Sequence, residues 1–339
     1  MGGTTNVILV TGFLGCGKTT FLNRIINIFP ENLKLMILMN EFGEIGLDGT
    51  LIESEELDIL EISKGSIFCV CVKTDFIRSL NEIAQTIKPD VLIVESTGVA
   101  NPSDLKKDLK LSIFQNRFQM EEQICVIDAD CFKDAYETFV SVEKQIASSN
   151  LFIINKVDLA SPHQVAEIKK IVREHHPSPE FIETTYADVP LERFIPNVSE
   201  KTSQKKSDPI TIQSDQLEQA IDQILENPDP DATPPDRLLS AIYSWSGNDI
   251  ESFKKFLPLL PRQLVRAKGF LTQNNTTFLF NLVMGQRNFE VYNTKKDIDS
   301  LLNHVVFIGP PEAINKLDEL SQDFPDLSKK SVFDPMENN

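Results

Sequence analysis

Gly12-Phe13-Leu14-Gly15-Cys16-Gly17-Lys18-Thr19-Thr20 decides the fold of the first half of this chain. The nonapeptide fits the pattern G-x-x-x-x-G-K-[ST], with the apolar run Val7–Thr11 before it and an amphipathic stretch after it. In that stretch Phe21, Leu22, Ile25, Ile26 and Phe29 recur at three- and four-residue spacing, a helical period. Strand, glycine-rich loop and helix together make a phosphate cradle. The glycines let the backbone curl so that successive N–H groups face phosphate oxygens, and the helix N-terminus adds its partial positive charge. Gly12, Gly15, Cys16, Gly17, Lys18, Thr19 and Thr20 are therefore expected around a nucleotide phosphate. Lys18 would reach the β- and γ-phosphates, and the Thr19 hydroxyl would ligate Mg2+.

Outward from this loop, short apolar runs alternate with amphipathic stretches. The strand candidates are Leu35–Asn40, Ile59–Ser63, Val91–Glu95, Ile124–Asp128, Leu151–Asn155 and Phe181–Glu183. Most are apolar on both faces, as strands of a parallel sheet covered by helices on each side must be. The order predicts an α/β fold: a doubly wound, mostly parallel P-loop NTPase sheet over residues 1–195. SEKTSQKKSDP and NPDPDATPPD then mark residues 196–236 as a polar, Pro-rich linker. One helix is expected within it, with Leu217, Ala220, Ile221, Ile224 and Leu225 on one face. A smaller C-terminal α+β domain is predicted over residues 237–330. Its strands are LLSAIYSW, KGFLTQ, TTFLFNLV, NFEVYN and HVVFIG, with helices around Asp249–Leu257 and from Pro311. Residues 331–339 read as a tail.

Composition narrows the classes of function. Among 339 residues, 33 are Lys or Arg and 50 are Asp or Glu, a net charge of −17. That excess argues against nucleic-acid or anionic-membrane partners, which need a cationic footprint. It leaves room for one small phosphate site built from backbone N–H groups and a single Lys. No apolar run reaches the roughly 18 residues of a membrane-spanning helix. MGGTTNVILV lacks the basic region of a signal peptide, and Asn6 stands where a myristoylation signal needs Ser or Thr. The 5 cysteines (Cys16, Cys69, Cys71, Cys125, Cys131) are odd in number and read as reduced thiols of a cytoplasmic protein.

Three further motifs complete the nucleotide reading. Glu95-Ser96-Thr97-Gly98 ends a buried strand; Glu95 can hold Mg2+, and the Gly98 N–H can meet the γ-phosphate. Asn155-Lys156-Val157-Asp158 follows the strand LFII. The Asp158 carboxylate can accept from guanine N1–H and N2–H2, a donor pair that adenine lacks. Lys156 would lay its stem along the base, and Asn155 would tie this loop to the phosphate loop. GTP is therefore expected in preference to ATP. Asn40-Glu41-Phe42-Gly43-Glu44-Ile45-Gly46-Leu47-Asp48 reads as a switch segment, or else as an acidic surface turn. Glu41, Glu44 and Asp48 are its candidates for ordering water. Val99 follows Gly98 where Ras-like proteins place a water-orienting Gln, so slow hydrolysis is expected.

The set GFLGCGKTT, NEFGEIGLD, ESTG and NKVD resembles the CobW-like branch of the GTPases that includes HypB and UreG. IETTYADVPLERF, RAKGFL and HVVFIG carry the similarity through nearly the whole chain. The resemblance implies a GTP-hydrolysing protein that helps load a metal or metal-containing cofactor into a client, either a metalloprotein or a corrinoid-dependent protein. It also implies Mg2+ at Thr19, with Glu41 and Glu95 assisting, and leaves a homodimer open. One feature departs from the family. Where relatives carry G-C-x-C-C for a transition ion such as Zn2+ or Co2+, this chain has Gly65-Ser66-Ile67-Phe68-Cys69-Val70-Cys71. In an extended segment Cys69 and Cys71 would share a face as a two-thiolate site short of ligands; the other reading is buried thiols. No tightly held transition ion is expected, which makes a GTP-dependent switch without metal cargo the alternative function. His175-His176 is expected as a solvated helix end.

Overall fold

The computed structural model describes residues 4–41, 58–63, 70–96, 102–114, 117–194, 217, 219, 221, 222, 236–247, 249–293 and 298–334. Its first sheet contains β1 (Thr5–Thr11), β2 (Leu35–Glu41), β3 (Asp58–Ser63), β4 (Val91–Glu95), β5 (Phe118–Asp128), β6 (Leu151–Asn155) and β7 (Glu180–Glu183). The spatial order is β3-β2-β4-β1-β5-β6-β7, and every ladder from β2 across to β7 is parallel. Alternate residues of β1 feed two cores. Val7 and Leu9 pack with Leu38, Leu92, Val94 and Phe76, while Ile8 and Val10 pack with Ile37, Ile93, Phe21 and Ile25. A strand buried on both faces has to be apolar throughout, which is why the first half reads as unbroken apolar runs.

Helices α1 (Lys18–Ile28), α2 (Val70–Glu82), α3 (Pro102–Leu109), α4 (Phe132–Thr138), α5 (Val140–Ser148) and α6 (Pro162–His175) connect these strands. Leu217 and Ile221 are helical and join the core around Phe76, whereas Ala220, Ile224 and Leu225 lie outside the described residues. β5 begins at Phe118, six residues before the expected Ile124, because the alternately exposed QMEEQ stretch carries no apolar run. At the C-terminal edge, Val10 and Met39 are both level with Glu95, Thr11 is level with Cys125, and Asp128 with Asn155. Open parallel sheets bind ligands along this edge.

Most of a second compact unit lies after Asp236. It holds β8 (Leu239–Trp245), α7 (Ile250–Phe256), β9 (Arg266–Gln273), β10 (Thr276–Val283), β11 (Gln286–Val291), β12 (His304–Gly309), α8 (Pro311–Ser321) and β13 (Leu327–Phe333). These strands form one antiparallel sheet in the order β11-β10-β9-β12-β8-β13. The core contains Tyr243, Trp245, Phe253, Phe256, Phe280, Phe307 and Leu317. Trp245, edge-on to Phe253, packs in that core. One boundary is corrected: β13 runs through Phe333, so residues 331–333 are sheet and not tail. Among the described residues, no helix is long and apolar enough to cross a membrane.

Candidate functional site

The chain leaves β1 at Thr11 and turns through three glycines with positive φ: Gly12 at 140°, Gly15 at 78° and Gly17 at 111°. A Cβ on Gly12 would stand 2.2 Å from the Val126 carbonyl oxygen, so only hydrogen fits between the loop and β5. Cys16 is buried beneath the loop, Thr19 is half-buried in the first turn of α1, and Thr20 is exposed. Lys18 is only 7% exposed, and its Nζ donates to the Gly12 oxygen at 2.9 Å and the Phe13 oxygen at 3.4 Å. Glu95, also 7% exposed, closes β4 with its carboxylate 4.0 Å from Lys18 Nζ. A buried ammonium and a buried carboxylate thus face each other where the loop begins its helix.

Asn155 links three segments. Its Nδ2 donates to the Cys16 carbonyl at 2.9 Å, and its Oδ1 accepts from the Ala187 N–H at 2.9 Å. The residues that follow, Val157–Leu159, make a single 3-10 turn that leaves Asp158 exposed. Lys156 has φ 59° and donates to Asp128 Oδ2 at 2.6 Å. Burial works against its charge, but the Asp128 charge and hydrogen bond outweigh that and hold the ammonium above the ordinary lysine range. Asp128 is itself buried and accepts from the Asp130 N–H.

Not every expected residue is gathered here. Glu41 ends β2 two residues beyond the register partner of Glu95, and its side chain is not among those described. Gly98, Val99, Glu44, Asp48, Ser66, Phe68 and Cys69 also lie outside the described residues. Cys71 lies in the first turn of α2, where the backbone is helical and not extended, and its side chain is not among those described. Among the described residues, no three His, Cys, Asp or Glu side chains gather as metal ligands.

Cys16, Cys125 and Cys131 are free thiols whose titration is pushed up. Burial is the first cause at each, with Asp128 adding to it at Cys16 and Cys131. His175 and His176 are not a solvated helix end. His175 Nε2 meets the Tyr136 hydroxyl at 3.0 Å, and His176 Nε2 donates to the Ile146 carbonyl at 2.7 Å, docking the end of α6 on α4 and α5.

Sequence reasoning passed over Asp128 and the turn Thr184–Asp188. Asp128 ends an apolar strand level with Asn155, the only signal it offers. The turn is fixed by the Thr184 Oγ1 bond to the Asp188 carbonyl at 2.7 Å and by the Ala187 contact with Asn155.

The profile of the CobW/HypB/UreG nucleotide-binding domain matches residues 6–183. The zinc chaperone YeiR of Escherichia coli K12 is 30% identical over 169 residues, 49% of this chain and 51% of that protein. Zinc-regulated GTPase metalloprotein activator 1 of Dictyostelium discoideum is 25% identical over 227 residues, 56% of this chain and 47% of that protein. The chain thus spans about half the length of the curated relatives it matches. The solved structure of Zn(II)-bound YjiA GTPase from E. coli is 20% identical with a TM-score of 0.41, covering 94% of this chain and 99% of that one.

Proposed function

The chain belongs to the CobW/HypB/UreG nucleotide-binding family, and from that premise we propose that it binds GTP, hydrolyses it slowly, and uses the cycle to pass a metal ion to a client protein. One observation carries the reading: Asn155 of N-K-x-D is bonded to Cys16 of the phosphate loop at 2.9 Å. A phosphate cradle and a guanine-type acceptor are thereby held at one end of one sheet. Zinc enters as cargo because YeiR is a zinc chaperone by name.

In this reading the loop N–H groups and Lys18 hold the β- and γ-phosphates, with Gly12, Gly15, Gly17 and Thr20 shaping the cradle. Lys156 keeps its stem beside the base while Asp128 anchors its ammonium. The donor set fits Mg2+, which takes hard oxygen ligands: a hydroxyl at Thr19 and carboxylates at Glu95 and Glu41. Glu95 supports that fit, being buried and beside Lys18. When bound, Mg2+ would neutralise charge on the phosphate oxygens. Gly98 would add an N–H to the γ-phosphate. Val99 has no group to orient water, so turnover well below one per second is expected from the protein alone, with acceleration by a client or by self-association.

Asp158→Asn tests the base assignment. Removing the carboxylate leaves two guanine donors unpaired, at about 1–3 kcal/mol each. GTP affinity should fall while xanthosine triphosphate, whose C2 carbonyl accepts from an amide, gains. Equal wild-type affinity for GTP and ATP, measured calorimetrically, would refute the assignment.

A switch without metal cargo is the second reading, favoured by the helical backbone at Cys71 and by Ser66 and Phe68 standing where relatives carry thiols. Its partner would be a corrinoid-dependent protein or another metalloenzyme. Metal content after dialysis against Zn2+ or Co2+ separates the two. Stoichiometric metal, lost when Cys69 and Cys71 are both made Ser, supports the chaperone; its absence supports the switch.

A further inference from the structure

Tyr186 and Ala187 both sit in the left-handed region, with φ 52° and 53°, although neither is glycine. Non-glycine residues keep that conformation only where their surroundings impose it. Beside the Thr184–Asp188 and Asn155–Ala187 bonds, one side chain adds two more contacts around this pair. Arg24, on the second turn of α1, donates through Nε to the Tyr186 carbonyl at 2.7 Å and through Nη1 to Asp188 Oδ1 at 2.9 Å. The guanidinium fork thus brackets the strained pair from both sides.

The bracket closes a ring. The Ala187 N–H goes to Asn155 Oδ1, Asn155 Nδ2 goes to the Cys16 carbonyl, and Cys16 leads in two residues into α1, which carries Arg24. The Val157 N–H also donates to the Thr184 carbonyl at 3.2 Å, so the turn borders the segment that ends in Asp158. Arg24 is partly exposed, at 38%, and Asp188 is at 76%; an exposed ion pair of this kind adds little to stability. Its consequence lies in where it holds the turn.

Building on the GTP reading above, we propose that Arg24 is a positioning residue for purine recognition: it locks the Thr184–Asp188 turn, and through Ala187 and Asn155 fixes where Asp158 meets the base. Without the fork, Tyr186 and Ala187 relax toward negative φ, the Ala187 N–H leaves Asn155, and the acceptor for guanine loses its fixed place. The ring meets the phosphate loop only at the Cys16 carbonyl, while Lys18 is held separately by the Gly12 and Phe13 carbonyls, so the loss falls more on base choice than on the phosphates.

The experiment compares full-length wild type, Arg24→Ala, Arg24→Lys and Asp188→Ala by calorimetric titration with GTP and with ATP, alongside kcat, KM and thermal midpoint. For Arg24→Ala we expect GTP affinity to fall about tenfold, the size of one ordered hydrogen bond lost, with ATP affinity unchanged. KM should rise while kcat at saturation stays within about twofold, because the interaction removed is uniform binding. Arg24→Lys keeps the charge but not the planar fork and should stay weak for GTP. Asp188→Ala, an exposed change that preserves the Tyr186 contact, should give a smaller loss of the same selectivity and carries the test if Arg24→Ala fails to fold. Unchanged GTP affinity in Arg24→Ala, or equal loss of GTP and ATP, would overturn the proposal. Wild type without guanine preference would instead overturn the GTP reading, and this inference with it.

Discussion

At Gly17, φ is +111° and an added Cβ would stand 2.4 Å from Asn155 Nδ2. The glycine therefore serves the loop twice: its left-handed turn starts α1, and its missing side chain admits the Asn155 amide. Gly17→Ala should strain the turn by about 1–3 kcal/mol and displace the Asn155–Cys16 bond. The expected result is a lowered thermal midpoint together with loss of GTP binding; normal binding would show that the amide has another way in. A glycine at this point was legible from the motif. That it makes room for a residue 138 positions later was not, because the motif describes local backbone and the crowding comes from β6.

Among the elements, α5 has a distant cap. The Val140 and Ser141 N–H groups both donate to the Asp236 carboxylate at 2.9 Å, so an acid placed far along the chain satisfies the positive end of the helix. Asp236→Ala should cost about 1 kcal/mol and lower the midpoint by a few degrees, read by thermal unfolding. Arg193 makes a similar link across the sheet, reaching Glu122 of β5 at 3.0 Å and Glu180 of β7. Its hydrogen bond, ahead of opposing burial and its charge, holds the Glu180 carboxyl below the usual carboxylate range. A lowered folded value means that this stabilisation is complete above the unfolded value of about 4.3 and is lost as pH falls through the folded one. Wild type should therefore exceed Arg193→Ala by a constant margin above about pH 5, shrinking in acid. A margin that persists at pH 2 would assign the effect to packing against Phe194, whose ring lies beneath the guanidinium.

In the whole molecule, each compact unit has its own core among the described residues. The clusters around Phe76 and Phe21 contain no residue of the cluster around Phe253, and each unit buries its own aromatic set. Limited proteolysis is expected to cut first within the polar residues 196–216, ahead of the buried Leu217, and to leave two protected fragments, identified by mass. Cleavage inside β8–β13 before the linker would contradict that organisation. The edge strands of the second sheet show how such a unit is kept from pairing further. β13 exposes Lys329 and Lys330, and β11 is polar along most of its length.

The chain by itself determined the parallel sheet, the phosphate loop and the N-K-x-D segment. Each rests on short-range facts: apolar runs buried on two faces, glycines where the backbone must turn, and a carboxylate just past a strand. It also pointed to most strands of the second sheet, whose alternating or apolar patterns are strong. β13 escaped because LSKKSVF buries only its end residues, and an edge strand needs no more. Only the tertiary structure set Asp128 against Lys156, Arg24 against the Tyr186 turn, and Asp236 against α5. These pairs join residues 28, 162 and 96 positions apart. No local pattern encodes such meetings, since which polar side chains meet depends on the register of parallel strands and on the way connecting helices return to the sheet.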